Sequence, residues 1–253
     1  MNTAIVLAAG QGKRMGRGVA KQFLLLKDRP VLFYTLENFQ NSVIDEIVLV
    51  TPEGQEAYCR EEIVERYGFD KVKRIVPGGK ERYHSVAAGL AAANPGTEYV
   101  FIHDGARPFA DREMIKRGLA AVRKYEACVI AMPVKDTIKI ANEEGVAVST
   151  PPRDLVWQMQ TPQIFAYALI KDAYDRLLEE EKERTDVPLS VTDDAMVLER
   201  YSSCPVHFIK GSYENIKITT PEDMAIAEVL LKIREKKMSS NQAKDIDIKT
   251  HFC

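Results

Sequence analysis

Leu7-Ala8-Ala9-Gly10-Gln11-Gly12-Lys13-Arg14-Met15-Gly16 follows directly on an apolar, strand-like run over residues 4–9. A strand that opens onto glycines exposes backbone N–H groups able to cradle phosphate. Spacing excludes two familiar loops. A Walker A loop needs G-x-x-x-x-G-K followed by Ser or Thr, whereas Arg17-Gly18 follow Gly16 here. The dinucleotide fingerprint G-x-G-x-x-G needs a glycine at position 15, which is Met15, so hydride chemistry on a nicotinamide is disfavoured. Charge says more. Residues 11–30 hold Lys13, Arg14, Arg17, Lys21, Lys27 and Arg29 against Asp28 alone, six positive charges to one negative. A solvated basic loop is the plain alternative. Cations combined with glycines that admit close backbone approach favour a polyphosphate site.

Outward from this loop, short apolar runs alternate with helix-period segments. Residues 44–51, 72–76, 99–103 and 128–133 read as further strands, and 31–40, 55–67, 82–93 and 111–124 as helices. Repeated strand–helix units predict an α/β fold. The expectation is a single Rossmann-like domain over 1–238, with a mostly parallel sheet covered by helices. Right-handed crossovers gather the strand C-termini on one edge, where ligands bind. After Pro133 the pattern changes. Residues 135–140, a turn at Asn142-Glu143-Glu144-Gly145, and 146–149 predict a protruding β-hairpin arm within about 135–160. Helices near 166–178 and 193–200 and strands near 206–209 and 215–218 come next. Thr220-Pro221-Glu222-Asp223 then starts a last helix. Residues 179–186 read as a charged helix end or loop, and 239–253 as a poorly ordered tail.

The whole chain excludes several classes. It has 253 residues, 45% hydrophobic and 28% charged, as in ordinary globular proteins. A net charge of −2 gives no global attraction to nucleic acid or anionic membrane. No apolar run approaches the roughly 18 residues of a membrane span, and no signal peptide is evident. Cys59, Cys128, Cys204 and Cys253 are too widely spaced for a zinc pair, so reduced, inert thiols in a cytoplasm are expected.

The loop Leu7-Ala8-Ala9-Gly10-x-Gly12-x-Arg14-Met15-Gly16, followed by Lys21-Gln22-Phe23, resembles the nucleotide loop of nucleoside-diphosphosugar-type nucleotidyltransferases. Within that superfamily the chain is most similar, from about residue 3 to about 232, to the 2-C-methyl-D-erythritol 4-phosphate cytidylyltransferases. The resemblance implies CTP contacts at Ala8, Ala9, Gly10 and Gly12. It also implies transfer chemistry at Arg14 and Lys21.

Four more blocks carry it, each with a plainer reading of its own. Gly78-Gly79-Lys80-Glu81-Arg82-Tyr83-His84-Ser85 is by itself an ordinary turn before a helix. The resemblance implies that Gly79 and Ser85 hold the cytosine end of CTP. Ile102-His103-Asp104-Gly105-Ala106-Arg107-Pro108 places Asp104 at a strand end. A carboxylate there suits Mg²⁺, which takes one or two carboxylates plus phosphate oxygens. Helix capping or pairing with Arg107 is the structural alternative. The resemblance sets Asp104 near metal and substrate and Arg107 near the acceptor. Gly105 stands where many members carry alanine. Thr137 and Arg153 flank the hairpin, and the resemblance makes it a dimer arm that carries both into the partner's active site. Thr192, otherwise a helix cap, and Lys217, otherwise a surface lysine, match acceptor positions.

The implied reaction is attack by the acceptor's 4-phosphate on the α-phosphorus of CTP, with diphosphate leaving. A phosphate monoester has a second pKa of about 6 and needs no base near neutrality. The demand is electrostatic: to hold two anions in line and stabilise the charge that develops. Ribitol-5-phosphate cytidylyltransferase is the runner-up within this chemistry. A non-catalytic nucleotide-binding regulator is the alternative from another class.

Overall fold

A computed structural model of the chain describes residues 1–10, 20–184 and 190–250, with side chains as far as Lys237. β1 (Asn2–Leu7) alternates its side chains between two cores. Ala4, Val6 and Ala8 join one apolar cluster, while Ile5 joins the other. β4 (Glu46–Thr51) does the same, with Ile47 and Leu49 on one side and Val48 and Val50 on the other. A period of two with both faces apolar is what a strand covered on both sides requires.

The first core is closed by α1 (Val31–Gln40), α4 (Arg112–Tyr125) and a helix that begins as α2 (Glu56–Tyr58) and continues as a π-turn over Cys59–Glu65. The second is closed by α3 (Arg82–Ala92), α5 (Tyr167–Glu183) and α6 (Asp194–Tyr201). α4 buries Met114, Ile115, Gly118, Leu119 and Val122 along one stripe, and its N-cap Asp111 accepts the Met114 N–H at 2.7 Å.

A short ribbon of β2 (Leu25–Leu26) and β3 (Arg29–Pro30) precedes α1, and the remaining long strands are β5 (Val72–Pro77), β6 (Tyr99–Asp104), β7 (Ala127–Pro133), β10 (Trp157–Ala166) and β11 (His207–Lys210). The seven-stranded sheet runs β11-β7-β10-β6-β1-β4-β5. β10 is antiparallel to both neighbours and the other pairings are parallel. The expected mostly parallel α/β sheet is present, with one reversed strand at its centre.

β10 is the strand that the sequence reading missed. The expected arm extends to about residue 160, but Trp157 already pairs with Pro133 in the main sheet. The Val134 N–H closes the neck on the Val156 carbonyl at 3.1 Å. The excursion between them carries two very short strands, β8 (Ile140–Ala141) and β9 (Ala147–Ser149), in place of the longer hairpin strands expected. Residues 215–218 are also not a strand. Ile218 donates its N–H to the Ala106 carbonyl at 2.9 Å as one isolated contact, because the Ser212–Asn215 turn just before it holds the chain off the ladder.

α7 (Pro221–Thr250) starts where expected. The Asp223 carboxylate accepts the Thr220 N–H at 2.9 Å, half of a capping box. The helix then runs as far as Thr250, into the 239–253 segment expected to be a poorly ordered tail, whose residues 251–253 lie outside the described ones. No proline or glycine follows Pro221 before Thr250, so nothing in the backbone chemistry stops it. Among the described residues no helix is long and apolar enough to cross a membrane.

Candidate active site

The C-terminal ends of β6, β1, β4 and β5 lie side by side, and above them opens a cavity of about 830 Å³. Five separate stretches of sequence line it, represented by Ala9, Gly10 and Lys21; Pro52 and Glu53; Gly78, Gly79, Arg82 and Ser85; Asp104; and Lys217. Ala8 sits just below, buried, with its N–H donated to the Val50 carbonyl at 2.7 Å. Arg14 and Gly12 lie outside the described residues.

The two loops are fastened from within. Gln22 is buried, and its amide donates to the Ala8 carbonyl and, at 3.2 Å, to the Gly10 carbonyl. It thereby ties the start of the basic loop to the strand end. Gly78 must be glycine: a Cβ there would stand 2.7 Å from Ser85 Oγ and collide with Ala9. That contact brings the Gly78–Gly79 turn against the first loop. Ser85 Oγ accepts the Gly79 N–H at 3.1 Å and so shapes the turn it follows.

Asp104 is the electrostatic centre. It is 8% exposed, at the end of β6. Lys217 Nζ stands 2.9 Å and Arg107 Nε 3.5 Å from Oδ2, and Arg82 Nε stands 3.7 Å from Oδ1. Burial opposes its ionisation, but Lys217, Arg82 and Arg107 together outweigh that and hold the carboxyl well below the usual range. Arg107 is anchored by donating Nη1 to the Asn215 carbonyl at 2.8 Å. The Asn215 amide donates in turn to the Thr161 carbonyl at 2.9 Å. The segment that carries Lys217 is thus laid against β10 by buried hydrogen bonds.

Behind Asp104 lies a fully buried histidine. His103 Nε2 is 3.1 Å from the Arg107 carbonyl, and Thr161 Oγ1 is 3.1 Å from Nδ1. The carbonyl requires a proton on Nε2, and in a neutral ring Nδ1 then accepts from the Thr161 hydroxyl. That hydroxyl then accepts the Asp104 N–H at 3.1 Å. Burial lowers the His103 pKa to about 4, which agrees with a neutral ring. His84 donates from Nε2 to Glu181 at 2.9 Å, because its Nδ1 accepts the Glu81 N–H. Neither histidine serves as a base in the cavity.

Asp104, expected as a metal ligand, already has a cation facing each carboxylate oxygen, so a metal there would compete with Lys217, Arg107 and Arg82.

The other acceptor positions are not gathered here. Thr137 and Arg153 are exposed on the arm and do not line the cavity. Thr192 is exposed, its hydroxyl 3.6 Å from Met196 Sδ. The sequence reading also passed over Gln22, Arg82, Thr161 and Asn215 as site residues. The available signal was polarity inside apolar runs, as in Ile102-His103 and Gln160-Thr161-Pro162-Gln163.

Known proteins place the chain. The 2-C-methyl-D-erythritol 4-phosphate cytidylyltransferase family matches residues 2–233. A protein of that name from Lachnospira eligens is 48% identical over 233 residues, covering 92% of this chain and 100% of its own. One from Lachnoclostridium phytofermentans is 45% identical over 230 residues, covering 91% and 96%. The structure of 4-diphosphocytidyl-2C-methyl-D-erythritol synthase from Anaerococcus prevotii superposes with a TM-score of 0.78 at 35% identity, covering 91% of this chain and 96% of that one. With four of the five sequence blocks contributing residues to one cavity and these relatives spanning nearly their full length, the chain belongs to the 2-C-methyl-D-erythritol 4-phosphate cytidylyltransferase family and is a nucleotidyltransferase.

Proposed function

We propose that the cavity transfers the cytidylyl group of CTP to 2-C-methyl-D-erythritol 4-phosphate as follows. The base lies against Gly79 and Ser85, and the triphosphate follows Ala9, Gly10 and the basic loop through Gly12 and Arg14. The acceptor's phosphate enters from the side of Asp104, Arg107 and Lys217. The observation that carries this reading is the cavity itself, in which both glycine turns, Lys21, Asp104 and Lys217 meet.

The acceptor phosphate is a ready nucleophile, so no proton need be removed. Catalysis is positioning and charge stabilisation. Lys21, with Arg14, faces the α-phosphate as negative charge develops there. Lys217, held by Asp104, meets the acceptor's phosphate, and diphosphate leaves along the glycine loop. Magnesium accompanying CTP would supply neutralisation of phosphate charge, and with Lys217, Arg107 and Arg82 facing Asp104 the nucleotide itself would have to hold it. Asp104→Asn therefore slows turnover but leaves the magnesium concentration for half-maximal rate unchanged; a large rise in that concentration would restore the ligand role.

We also propose a homodimer in which Thr137 and Arg153 complete the partner's site by binding the acceptor. An arginine fork suits a phosphate. The arm supports this: Ile140, Val148 and Leu155 are 53%, 67% and 78% exposed, more apolar surface than a free hairpin needs. A cytoplasmic setting fits the buried free thiols Cys59 and Cys128, which burial pushes up to about 12.

The test is diphosphate release from CTP across a panel of sugar and polyol phosphates. Turnover with 2-C-methyl-D-erythritol 4-phosphate and little with ribitol 5-phosphate is expected. Preference for ribitol 5-phosphate would move the assignment to the runner-up. No release with any acceptor would leave a nucleotide binder.

A further inference from the structure

We propose that Arg82 is a positioning residue for cytidylyl transfer: gripped by Asp194, it fixes the Asp104 carboxylate, which in turn holds Lys217 at the cavity edge. The proposal rests on the reading that Lys217 serves the acceptor's phosphate.

Arg82 is the first residue of α3 and Asp194 the first of α6. Arg82 Nη1 and Nη2 donate to the two oxygens of Asp194 at 2.8 and 2.7 Å, a fork on a fork. Asp194 is fully buried, and its Oδ1 also accepts the Tyr174 hydroxyl at 2.6 Å. A carboxylate this deep is tolerated because it is paired and hydrogen-bonded at once. The start of α6 is itself pinned to β10. Gln163 Oε1 accepts the Asp194 and Ala195 N–H groups at 2.9 Å each, and its Nε2 donates to Asp193 at 2.9 Å.

With both terminal nitrogens committed, the guanidinium presents its Nε edge to Asp104 Oδ1. Lys217 and Arg107 take the other oxygen. Asp104 is thus held from two sides and cannot rotate without breaking one of them. A mechanical line runs from the sheet through Asp194, Arg82 and Asp104 to Lys217. It joins the helix behind the nucleotide turn to the helix behind Thr192. Lysine at position 82 would keep the charge but has one point donor group, which cannot grip Asp194 and face Asp104 together.

The experiment is steady-state diphosphate release by the full chain, with CTP and acceptor varied separately, for Arg82→Lys, Asp104→Asn, their double variant and Lys217→Ala. A misplaced reacting group costs on the order of 10²-fold, so Arg82→Lys should lose about 10- to 100-fold in kcat, with a raised acceptor KM and a CTP KM within about threefold of wild type. Because Arg82 acts through Asp104, the double variant should be no slower than Asp104→Asn alone. Near-wild-type kcat for Arg82→Lys, or losses that multiply in the double variant, would overturn the proposal. If Arg82→Lys does not fold, Tyr174→Phe removes one support of Asp194 and keeps the ion pair. It should show a smaller loss, again absent on the Asp104→Asn background, and a folded Tyr174→Phe with unchanged kinetics would overturn the proposal. Lys217→Ala separates the two levels. Full activity there would remove the site reading and this proposal together. Lost activity there with an indifferent Arg82→Lys would remove this proposal alone.

Discussion

The cluster around Asp104 and the arm between Val134 and Val156 are built on opposite principles. Around Asp104 every charge meets another from the same chain: Lys217, Arg107 and Arg82 surround it, and Asp194 holds Arg82. Among the described residues, the arm is anchored at its base. There Tyr213 donates its hydroxyl to the Pro133 carbonyl at 2.9 Å, and Lys135 Nζ sits 3.8 Å from the Tyr213 ring centre. Beyond the base its apolar side chains face outward. The cluster is therefore organised before any ligand arrives, because the buried carboxylates of Asp104 and Asp194 draw the cations to them. The arm has no such partners of its own, and on the proposed reading it takes its role from a second subunit.

The comparison breaks most visibly if the organised half is cut. Lys21→Ala or Lys217→Ala is expected to lower kcat by about 10²–10³-fold at saturating substrates with the fold intact. Wild-type turnover in a folded variant of either would remove that lysine from the mechanism.

The next effect is on stability. His103 is neutral in the folded chain down to about pH 4, whereas an unfolded histidine takes up its proton near 6.5. On acidification the unfolded state binds the proton first. Stability is thus lost as pH falls from about 6.5 to 4, by about 3 kcal/mol in all, and is regained as pH rises. Asp104 behaves differently. Its depressed pKa stabilises the fold above the ordinary carboxylate range, and that contribution is lost only below about pH 4. Urea unfolding across this range should show the histidine slope in the wild type and a flatter one in His103→Gln. Identical slopes would mean that the ring titrates freely.

Complementation sharpens the other side of the comparison. If the arm completes a partner's site, Arg153→Ala spoils the neighbouring site and Lys21→Ala its own. Subunit exchange between the two inactive homodimers then puts both lesions in one composite site and leaves the other whole. Up to about half of wild-type turnover per heterodimer should return, from isologous two-fold geometry. Heterodimers that form without recovered turnover would place Arg153 in its own chain's site. The smallest effect is expected at the C-terminus. Truncation after Met238 should leave turnover unchanged and the melting temperature within a few degrees, since the family match ends at residue 233. A large drop in either would show that the end of α7 docks.

Local pattern was enough for most of the frame. The β-branched runs of β1, β4, β6 and β7 and the helical spacing between them make a parallel sheet legible, because a strand buried on both faces has to be largely apolar. The glycine and cation pattern of residues 7–21 supports the proposed phosphate site for a similar reason: close backbone approach excludes side chains, and polyphosphate demands positive charge. β10 escaped because Trp157-Gln158-Met159-Gln160-Thr161-Pro162-Gln163 carries a proline and four polar residues, which read as loop. Those same residues are polar because they hold the site. Thr161 joins His103 to Asp104, Gln160 and Thr161 meet Asn215, and Gln163 caps α6. The sequence by itself determined the α/β class and the order of the blocks. Only the tertiary structure decided that Asp104 is the centre of an ion cluster, and that Arg82 and Asp194, 112 positions apart, are paired in the interior. Such a pairing leaves no periodicity to read, because a charge buried by folding depends on what is across the cavity and not on what is next in the chain.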